Sequence, residues 1–283
     1  MLDGGAPAPE STLLLPVTDR AFLYGEAAFE TMVGQVDEAG AARVDALGAH
    51  IARLAVACAG FGVPDPEPVL RQDLRTLLAR MGAGRVRIRL TVTAGEGGRL
   101  DGASAGPSHR VVSARPLRPY PRRLYEEGAA AVLQSGTASV VPGAKLSSYA
   151  GNVAALRAAR AAGAHEALFV DDAGFLLEGA TSNVFVVRAG VLHTPEARGI
   201  LPGITRAQVL RLATAAGLSH AEGRLDLDSL RGADEAFLTS AVRGVMPLTR
   251  LDGRPLGAGV PGPLTRRLAL AWDADAPARA EVP

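Results

Sequence analysis

Pro142-Gly143-Ala144-Lys145-Leu146-Ser147-Ser148-Tyr149-Ala150-Gly151-Asn152 holds the one lysine of this 283-residue chain; of 30 basic residues the other 29 are arginines. A coding bias toward arginine accounts for the skew, but not for where the exception survives. A guanidinium stays charged, whereas a primary amine can lose its proton and attack a carbonyl. Imine chemistry is therefore open to a single side chain, and Lys145 is a candidate Schiff-base residue. The competing reading is a chance surface lysine in a glycine-rich loop.

Downstream of this loop, residues 147–162 read as an alanine-rich helix, capped by Ser147 or Ser148 and closed by Gly163. Upstream, residues 129–134 read as a strand. Four short apolar runs at 167–170, 175–177, 184–187 and 191–192 are separated by turns and predict an antiparallel meander. Glu178 ends the second run, where a carboxylate either caps a turn or holds a cation or a ring N–H. Gly199-Ile200-Leu201-Pro202-Gly203-Ile204-Thr205 runs into a helix over 204–216. Its free N–H groups, its dipole and the Thr205 hydroxyl suit a phosphate. Strands at 236–240 and 245–248, a helix at 264–272 and a frayed tail from Asp273 complete this half. Singly, Glu178 and Thr205 read as a turn residue and part of a capped helix. Together with Lys145 they supply an amine, a carboxylate and an anion cup, the set that pyridoxal 5′-phosphate requires.

The first half opens with a loose stretch, residues 1–12. A strand lies in the later part of 21–33. Helices are expected over 45–59, on Leu47, Ile51, Leu54 and Cys58, and over 67–81. Residues 85–93 alternate strictly and predict a strand with one buried face. Arg85, Arg87 and Arg89 share its other face, read as a solvated row or as an anion site. The following loop, Gly95-Glu96-Gly97-Gly98-Arg99, lacks the Gly-Lys-Ser/Thr ending of a nucleotide-binding loop. Pro116, Pro119 and Pro121 mark a boundary between domains of residues 1–118 and 122–283.

Composition narrows the function classes. Hydrophobic residues at 48% and charged residues at 21% fit an ordinary globular protein. A net charge of +1 with dispersed arginines offers no field for nucleic acid or an acidic membrane. No apolar run approaches the length of a membrane span. A single cysteine, Cys58 in an apolar stretch, is expected to be a buried thiol in a reducing compartment. The N-terminus lacks a basic segment followed by an apolar run. The expected location is cytoplasmic.

Several stretches resemble the fold-type IV (class IV) pyridoxal-phosphate enzymes, the family of branched-chain aminotransferases, D-amino-acid aminotransferases and aminodeoxychorismate lyases. They are Asp19-Arg20 with Tyr24-Gly25-Glu26-Ala27-Ala28-Phe29-Glu30-Thr31; His50-Ile51-Ala52-Arg53-Leu54; the Lys145 loop; Leu177 to Phe185; Leu201-Pro202-Gly203-Ile204-Thr205-Arg206; and Phe237-Leu238-Thr239-Ser240. The resemblance implies an α/β (α+β) fold of two domains, a small N-terminal one and a larger one with the meander, with the cofactor between them and a homodimer as the assembly. It implies that Lys145 bonds the cofactor aldehyde and then moves protons at the substrate carbon. Glu178 is implied to keep the pyridine nitrogen protonated. Arg53, the backbone of Ile204, and Thr205 are implied phosphate contacts, with Thr239 and Ser240 on a second phosphate-side loop and Tyr149 near the cofactor. Where aminotransferases place a Thr one position later, this chain has Ala241.

Within the family, the spacing from Lys145 to Glu178, the loop at 95–99 and Thr31 resemble the aminodeoxychorismate lyases, which release pyruvate and leave 4-aminobenzoate. Transamination of an L- or D-amino acid with a 2-oxo acid stays open. Arg99 and Arg243 are candidate clamps for a substrate carboxylate. Arg99 is followed by Leu100-Asp101, without the His of the D-amino-acid pattern, and the small-residue run of the branched-chain enzymes is absent beside Lys145. A non-catalytic pyridoxal-phosphate binding protein is the alternative of a different class.

Overall fold

The computed structural model describes residues 1–97, 99–100, 106–137, 141 and 143–283. Gly98 and Asp101 of the loop pattern and Pro142 of the lysine stretch lie outside the described residues. The chain divides into two units, Met1–Arg118 with Ala144–Tyr149 and Pro277–Pro283, and Pro119–Gly143 with Ala150–Ala276. The continuous domains expected from the sequence differ from this: the lysine loop and the C-terminal residues fall with the first unit.

The chain runs through α1 (Arg20–Tyr24), β1 (Ala27–Val36), β2 (Ala42–Asp45), α2 (Leu47–Ala59), α3 (Glu67–Leu78), β3 (Gly84–Thr93) and β4 (Arg110–Pro116). It continues with α4 (Arg123–Glu126), β5 (Ala129–Ser135), α5 (Ala150–Ala161), β6 (Glu166–Val170), β7 (Phe175–Gly179), β8 (Asn183–Arg188) and β9 (Val191–Pro195). Then come α6 (Ile204–Ala215), β10 (His220–Gly223), β11 (Leu225–Asp226), α7 (Leu227–Arg231), β12 (Glu235–Ser240) and β13 (Gly244–Leu251). The last elements are β14 (Arg254–Pro255), α8 (Pro263–Ala274), α9 (Ala276–Arg279) and β15 (Ala280–Glu281).

The first unit is a sheet of order β15-β2-β1-β3-β4. Alternation sends Ala28 and Met32 of β1, and Ile88 and Leu90 of β3, to one face, where Leu47, Ile51 and Leu54 of α2 and Leu70 and Leu74 of α3 meet them. Each of the larger side chains, Met, Ile and Leu, stabilises the fold by about 1.5–3 kcal/mol when fully buried. Cys58 lies in this core with no exposed surface, and burial pushes its thiol up to about 11. The opposite face carries Phe29, Thr31, Arg87, Arg89 and Thr91, with Thr31 directly across from Arg89.

Both chain ends, expected to be loose, are tied into this unit. The Met1 amine donates to the Val112 carbonyl at 2.7 Å, and Leu2 bridges to Val111. At the other end β15 pairs with β2, and Glu281 Oε2 accepts from the Gly48 N–H at 2.9 Å. Short terminal segments look unstructured in sequence because the edges that hold them are far away along the chain.

The second unit is a sheet of order β10-β9-β8-β12-β13-β5-β6-β7-β11, with β14 on β13. The expected meander is corrected here. β6–β7 and β8–β9 are hairpins, but β8 pairs with β12, and β13 and β5 follow before β6. The turn between β7 and β8 thus connects strands that are not hydrogen-bonded neighbours. Helices α6 and α8 pack Val209, Ala213, Leu268 and Trp272 against Phe185, Phe237 and Val245, and the rings of Phe185 and Phe237 stack at 4.8 Å. Among the described residues no helix is long and apolar enough to cross a membrane.

Candidate active site

The helix expected from residue 147 begins at Ala150, because the preceding backbone is committed elsewhere. Phe29 N–H donates to the Lys145 carbonyl at 2.9 Å, Ser147 N–H to the Ala27 carbonyl at 2.7 Å, and Ala28 bridges to Leu146. Ser148, expected as a cap, donates its hydroxyl to the Gly25 carbonyl at 3.0 Å. Gly25 has a φ of 71°, and a Cβ there would stand 2.7 Å from Ser148 Oγ, so the close approach requires glycine. The lysine loop is in effect an extra strand stitched to the start of β1.

That pairing brings Lys145 to the polar face of the first unit's sheet. Its Nζ lies 3.2 Å from the Tyr149 hydroxyl and 4.6 Å from the centre of the Phe29 ring. Phe29 and Tyr149 meet edge to face at 5.2 Å. The Arg89 guanidinium covers the Phe29 ring at 3.8 Å, and its Nε donates to Thr91 Oγ1 at 3.2 Å. Burial, then the neighbouring Arg87, lower the Arg89 pKa, against the pull of Tyr149. The row of three arginines is therefore not uniform: Arg85 and Arg87 are exposed and Arg89 is half-buried. Alternation alone cannot separate them; the aromatic at Phe29, two residues from Thr31 on the same face, is what singles out Arg89.

On the helical face of the same sheet, Arg53 is held by Glu30. Its Nε and Nη2 donate to the two carboxylate oxygens at 2.7 and 2.8 Å, and His50 Nδ1 lies 2.7 Å from Oε2. Burial pushes Glu30 up, but His50 and Arg53 more than offset it and bring it down to about 2. Arg99 is exposed, and its backbone carbonyl accepts from Arg20 Nη1 at 2.5 Å. Arg20 is itself buried, paired with Glu26 at 2.6 Å, while the adjacent Asp19 accepts from Thr93 Oγ1 at 2.8 Å. The Asp19-Arg20 pair is thus local architecture that anchors the loop after β3.

In the second unit, Glu178 is buried at the end of β7 with both carboxylate oxygens engaged. Oε1 accepts from Leu201 N–H at 3.1 Å and Oε2 from Asn183 Nδ2 at 3.2 Å. The same Asn183 amide donates to the Leu201 carbonyl at 3.0 Å. In the sequence Asn183 is one residue of the Leu177–Phe185 stretch, and only its position there points to its holding Glu178. Leu201 leads into α6, whose cap residue Gly203 makes no side-chain cap bond. Ile204 opens the helix and Thr205 follows it, buried. Across the sheet Thr239 pairs in register with Asn183. Its Oγ1 is buried and has no hydrogen-bond partner among the described residues.

Ser240 Oγ accepts from Arg243 N–H at 3.3 Å. The Arg243 guanidinium, a candidate substrate clamp, is buried: Nη1 donates to Glu166 Oε2 at 2.5 Å and Nη2 to Thr181 Oγ1 at 2.8 Å. Among the described residues no cluster of His, Cys, Asp and Glu could hold a metal ion.

Residues 27–251 match the family model of class IV amino-transferases. A branched-chain-amino-acid aminotransferase of Pseudomonas aeruginosa is 40% identical over 124 residues, a match that spans 44% of this chain and 40% of that relative. A D-alanine aminotransferase of Bacillus licheniformis is 30% identical over 96% of this chain and 95% of its own length. Among solved structures, 4-amino-4-deoxychorismate lyase of Pseudomonas aeruginosa is 30% identical, with a TM-score of 0.81 over 97% of this chain and 98% of that one. With its fold, its lysine loop and these matches, the chain belongs to the class IV aminotransferase family of pyridoxal-phosphate-dependent enzymes.

Proposed function

We propose that this enzyme is a 4-amino-4-deoxychorismate lyase, eliminating pyruvate to give 4-aminobenzoate. The observation that carries the reading is the group on the polar face of the first unit: Lys145, with Thr31 and Arg89 facing each other across β1 and β3. It offers a base, a hydroxyl and a cation to a substrate that must lose a proton, break the C–O bond to its enolpyruvyl group and present carboxylates.

The residues present fit pyridoxal 5′-phosphate. Among the described residues Thr239 Oγ1 is a buried hydroxyl with no hydrogen-bond partner, and the start of α6 has no side-chain cap, which suits an anion. When bound, the cofactor supplies an aldehyde that captures the substrate amine and a pyridinium ring that accepts the electron pair released at the neighbouring carbon. Lys145 Nζ is assigned to the cofactor aldehyde in the resting enzyme. Once released by the substrate amine, Nζ would take the proton from the carbon bearing that amine and return it to the methylene carbon of the departing enolpyruvate, which leaves as pyruvate. Tyr149, 3.2 Å from Nζ, orients that amine. Glu178 would hold the proton on the ring nitrogen, its carboxylate fixed by Asn183 and Leu201. Ile204 N–H and Thr205, with Thr239, Ser240 and Arg53, are assigned to the phosphate. Arg89 binds a substrate carboxylate, and Thr31 steadies the departing enolpyruvyl oxygen.

A second reading, transamination of an L- or D-amino acid with a 2-oxo acid acceptor, is supported by the names of the branched-chain and D-alanine relatives. The two readings part in one experiment. Purified protein is expected to be yellow, with a band that borohydride removes, and to release pyruvate from aminodeoxychorismate without an acceptor. Loss of that band on adding an amino acid, its return with 2-oxoglutarate, and no pyruvate would replace the lyase by a transaminase. A bound cofactor with neither reaction would leave a non-catalytic binding protein. The same reading carries a homodimer in the cytoplasm, acting in folate biosynthesis; light scattering of the purified protein tests the dimer.

A further inference from the structure

We propose that Arg243 and Glu166 form a positioning clamp that fixes the two turns carrying the cofactor-side groups of the second unit. The inference rests on the cofactor reading above and assigns Arg243 a role other than a substrate clamp. One turn, Ala180-Thr181-Ser182, lies between Glu178 and Asn183. The other, Ala241-Val242-Arg243, follows Thr239 and Ser240. Both sets of residues are assigned to the cofactor. The first turn joins β7 and β8, which are not paired with each other, whereas the second closes the β12–β13 hairpin, where Ser240 pairs with Gly244.

Glu166, at the start of β6 and with no exposed surface, gathers both turns. Its Oε2 accepts from Thr181 Oγ1 at 2.7 Å, Ser182 Oγ at 3.0 Å and Arg243 Nη1 at 2.5 Å. Arg243 Nη2 closes the ring on Thr181 at 2.8 Å. The arginine is held from behind as well: Tyr125 donates its hydroxyl to the Arg243 carbonyl at 3.0 Å, and the guanidinium lies 5.2 Å from the Tyr120 ring centre. Gly179 makes the approach possible, since a Cβ there would stand 2.4 Å from Ser182 Oγ and 3.1 Å from Glu166 Cγ. A buried ion pair so placed adds little net stability against an apolar substitute. What it does supply is a fixed geometry, and here that geometry sets the backbone on either side of Glu178, Asn183, Thr239 and Ser240.

The test compares Arg243→Lys, Thr181→Ala and Glu166→Gln with the parent enzyme, each freed of cofactor and titrated with pyridoxal 5′-phosphate. The readouts are the dissociation constant, the visible circular dichroism of the bound cofactor, the Tm of the cofactor-free protein and the KM of the reloaded enzyme for aminodeoxychorismate. Thr181→Ala keeps the ion pair and is the variant expected to lose least in folding. Arg243→Lys and Thr181→Ala are expected to bind the cofactor about tenfold more weakly and with altered dichroism at saturation. A fall in the cofactor-free Tm with the dissociation constant and dichroism of the parent would overturn the clamp in favour of a merely structural pair. A raised KM for substrate with unchanged cofactor binding would overturn it in favour of a substrate clamp. If the parent itself binds no pyridoxal 5′-phosphate, the cofactor reading fails and the clamp with it; parent binding with indifferent variants sinks the clamp alone.

Discussion

Asn183 holds Glu178 and Leu201 at once: its single amide nitrogen donates to Glu178 Oε2 at 3.2 Å and to the Leu201 carbonyl at 3.0 Å. One side chain therefore sets the carboxylate and the loop that enters α6. A hydrogen bond to a charged group contributes about 1.5–3 kcal/mol. Asn183→Ala is expected to weaken pyridoxal 5′-phosphate binding by about tenfold or more, read by absorbance titration of the cofactor-free protein. Asn183→Asp is expected to be worse, because it sets a second carboxylate beside Glu178 and forces one of the two to keep a proton. Equal affinity in all three proteins would remove Asn183 from the site.

Gly203 meets the same hub from the other side. A Cβ at this position would lie 1.8 Å from Asn183 Oδ1, far inside contact distance. Gly203→Ala must therefore displace an amide that is already bonded on its other end. It is expected to weaken cofactor binding much as Asn183→Ala does. Residues in direct contact are not additive. The double variant Gly203→Ala/Asn183→Ala should lose less than the sum of the single losses, since truncating Asn183 makes the room the methyl needs. Strict additivity in the titrations would show that the two positions act separately.

These two residues mark where the sequence stops being legible. The fold class could be read because its strands and helices announce themselves by period: Met32, Ile88 and Leu90 alternate, and Leu47, Ile51 and Leu54 recur along α2. Lys145 stands out by chemistry, as the one lysine among arginines. What could not be read was non-local. Ser147 and Ser148 look like helix caps until the Ser147 N–H is placed on Ala27 of β1 and the Ser148 hydroxyl on Gly25. Arg89 looks like Arg85 and Arg87 until Phe29 is placed beneath it. Arg243 looks like a free clamp until Glu166, 77 residues away in sequence, is placed against it.

Glu30, His50 and Arg53 give a pH prediction with a definite sign. Glu30 is brought from an ordinary 4.5 to about 2 in the folded chain. A depressed carboxylate stabilises the fold fully above its unfolded value and ceases to do so as pH falls through its folded one. Its share, about 3 kcal/mol on the usual conversion, is therefore present at pH 6 and is lost between about pH 4.5 and 2. Urea denaturation at stepped pH checks this. In Glu30→Gln the acid limb that Glu30 contributes should disappear. Its stability at pH 7 should fall by about 3–5 kcal/mol, because Arg53 and His50 lose a buried partner. An unchanged acid limb would mean that other carboxylates govern it.

Arg89 gives the sharpest prediction about substrate. Its guanidinium stands 3.8 Å from the Phe29 ring centre, while Lys145 Nζ stands 4.6 Å from the same ring. A partly desolvated cation whose pKa burial has already lowered gains most from a carboxylate that arrives and pairs with it. Arg89→Met is expected to raise KM for a carboxylate-bearing substrate by tenfold to a hundredfold, which is about 1.4–2.7 kcal/mol of lost binding. Cofactor affinity should be little changed, because Arg89 is given no part in the phosphate site. Arg89→Lys keeps the charge but loses the planar fork and should recover only part of the loss. The parent enzyme should also discriminate against a methyl ester of its substrate, and Arg89→Met should not. If the variant keeps that discrimination, the carboxylate is held elsewhere, and Arg89 serves only to cover Phe29.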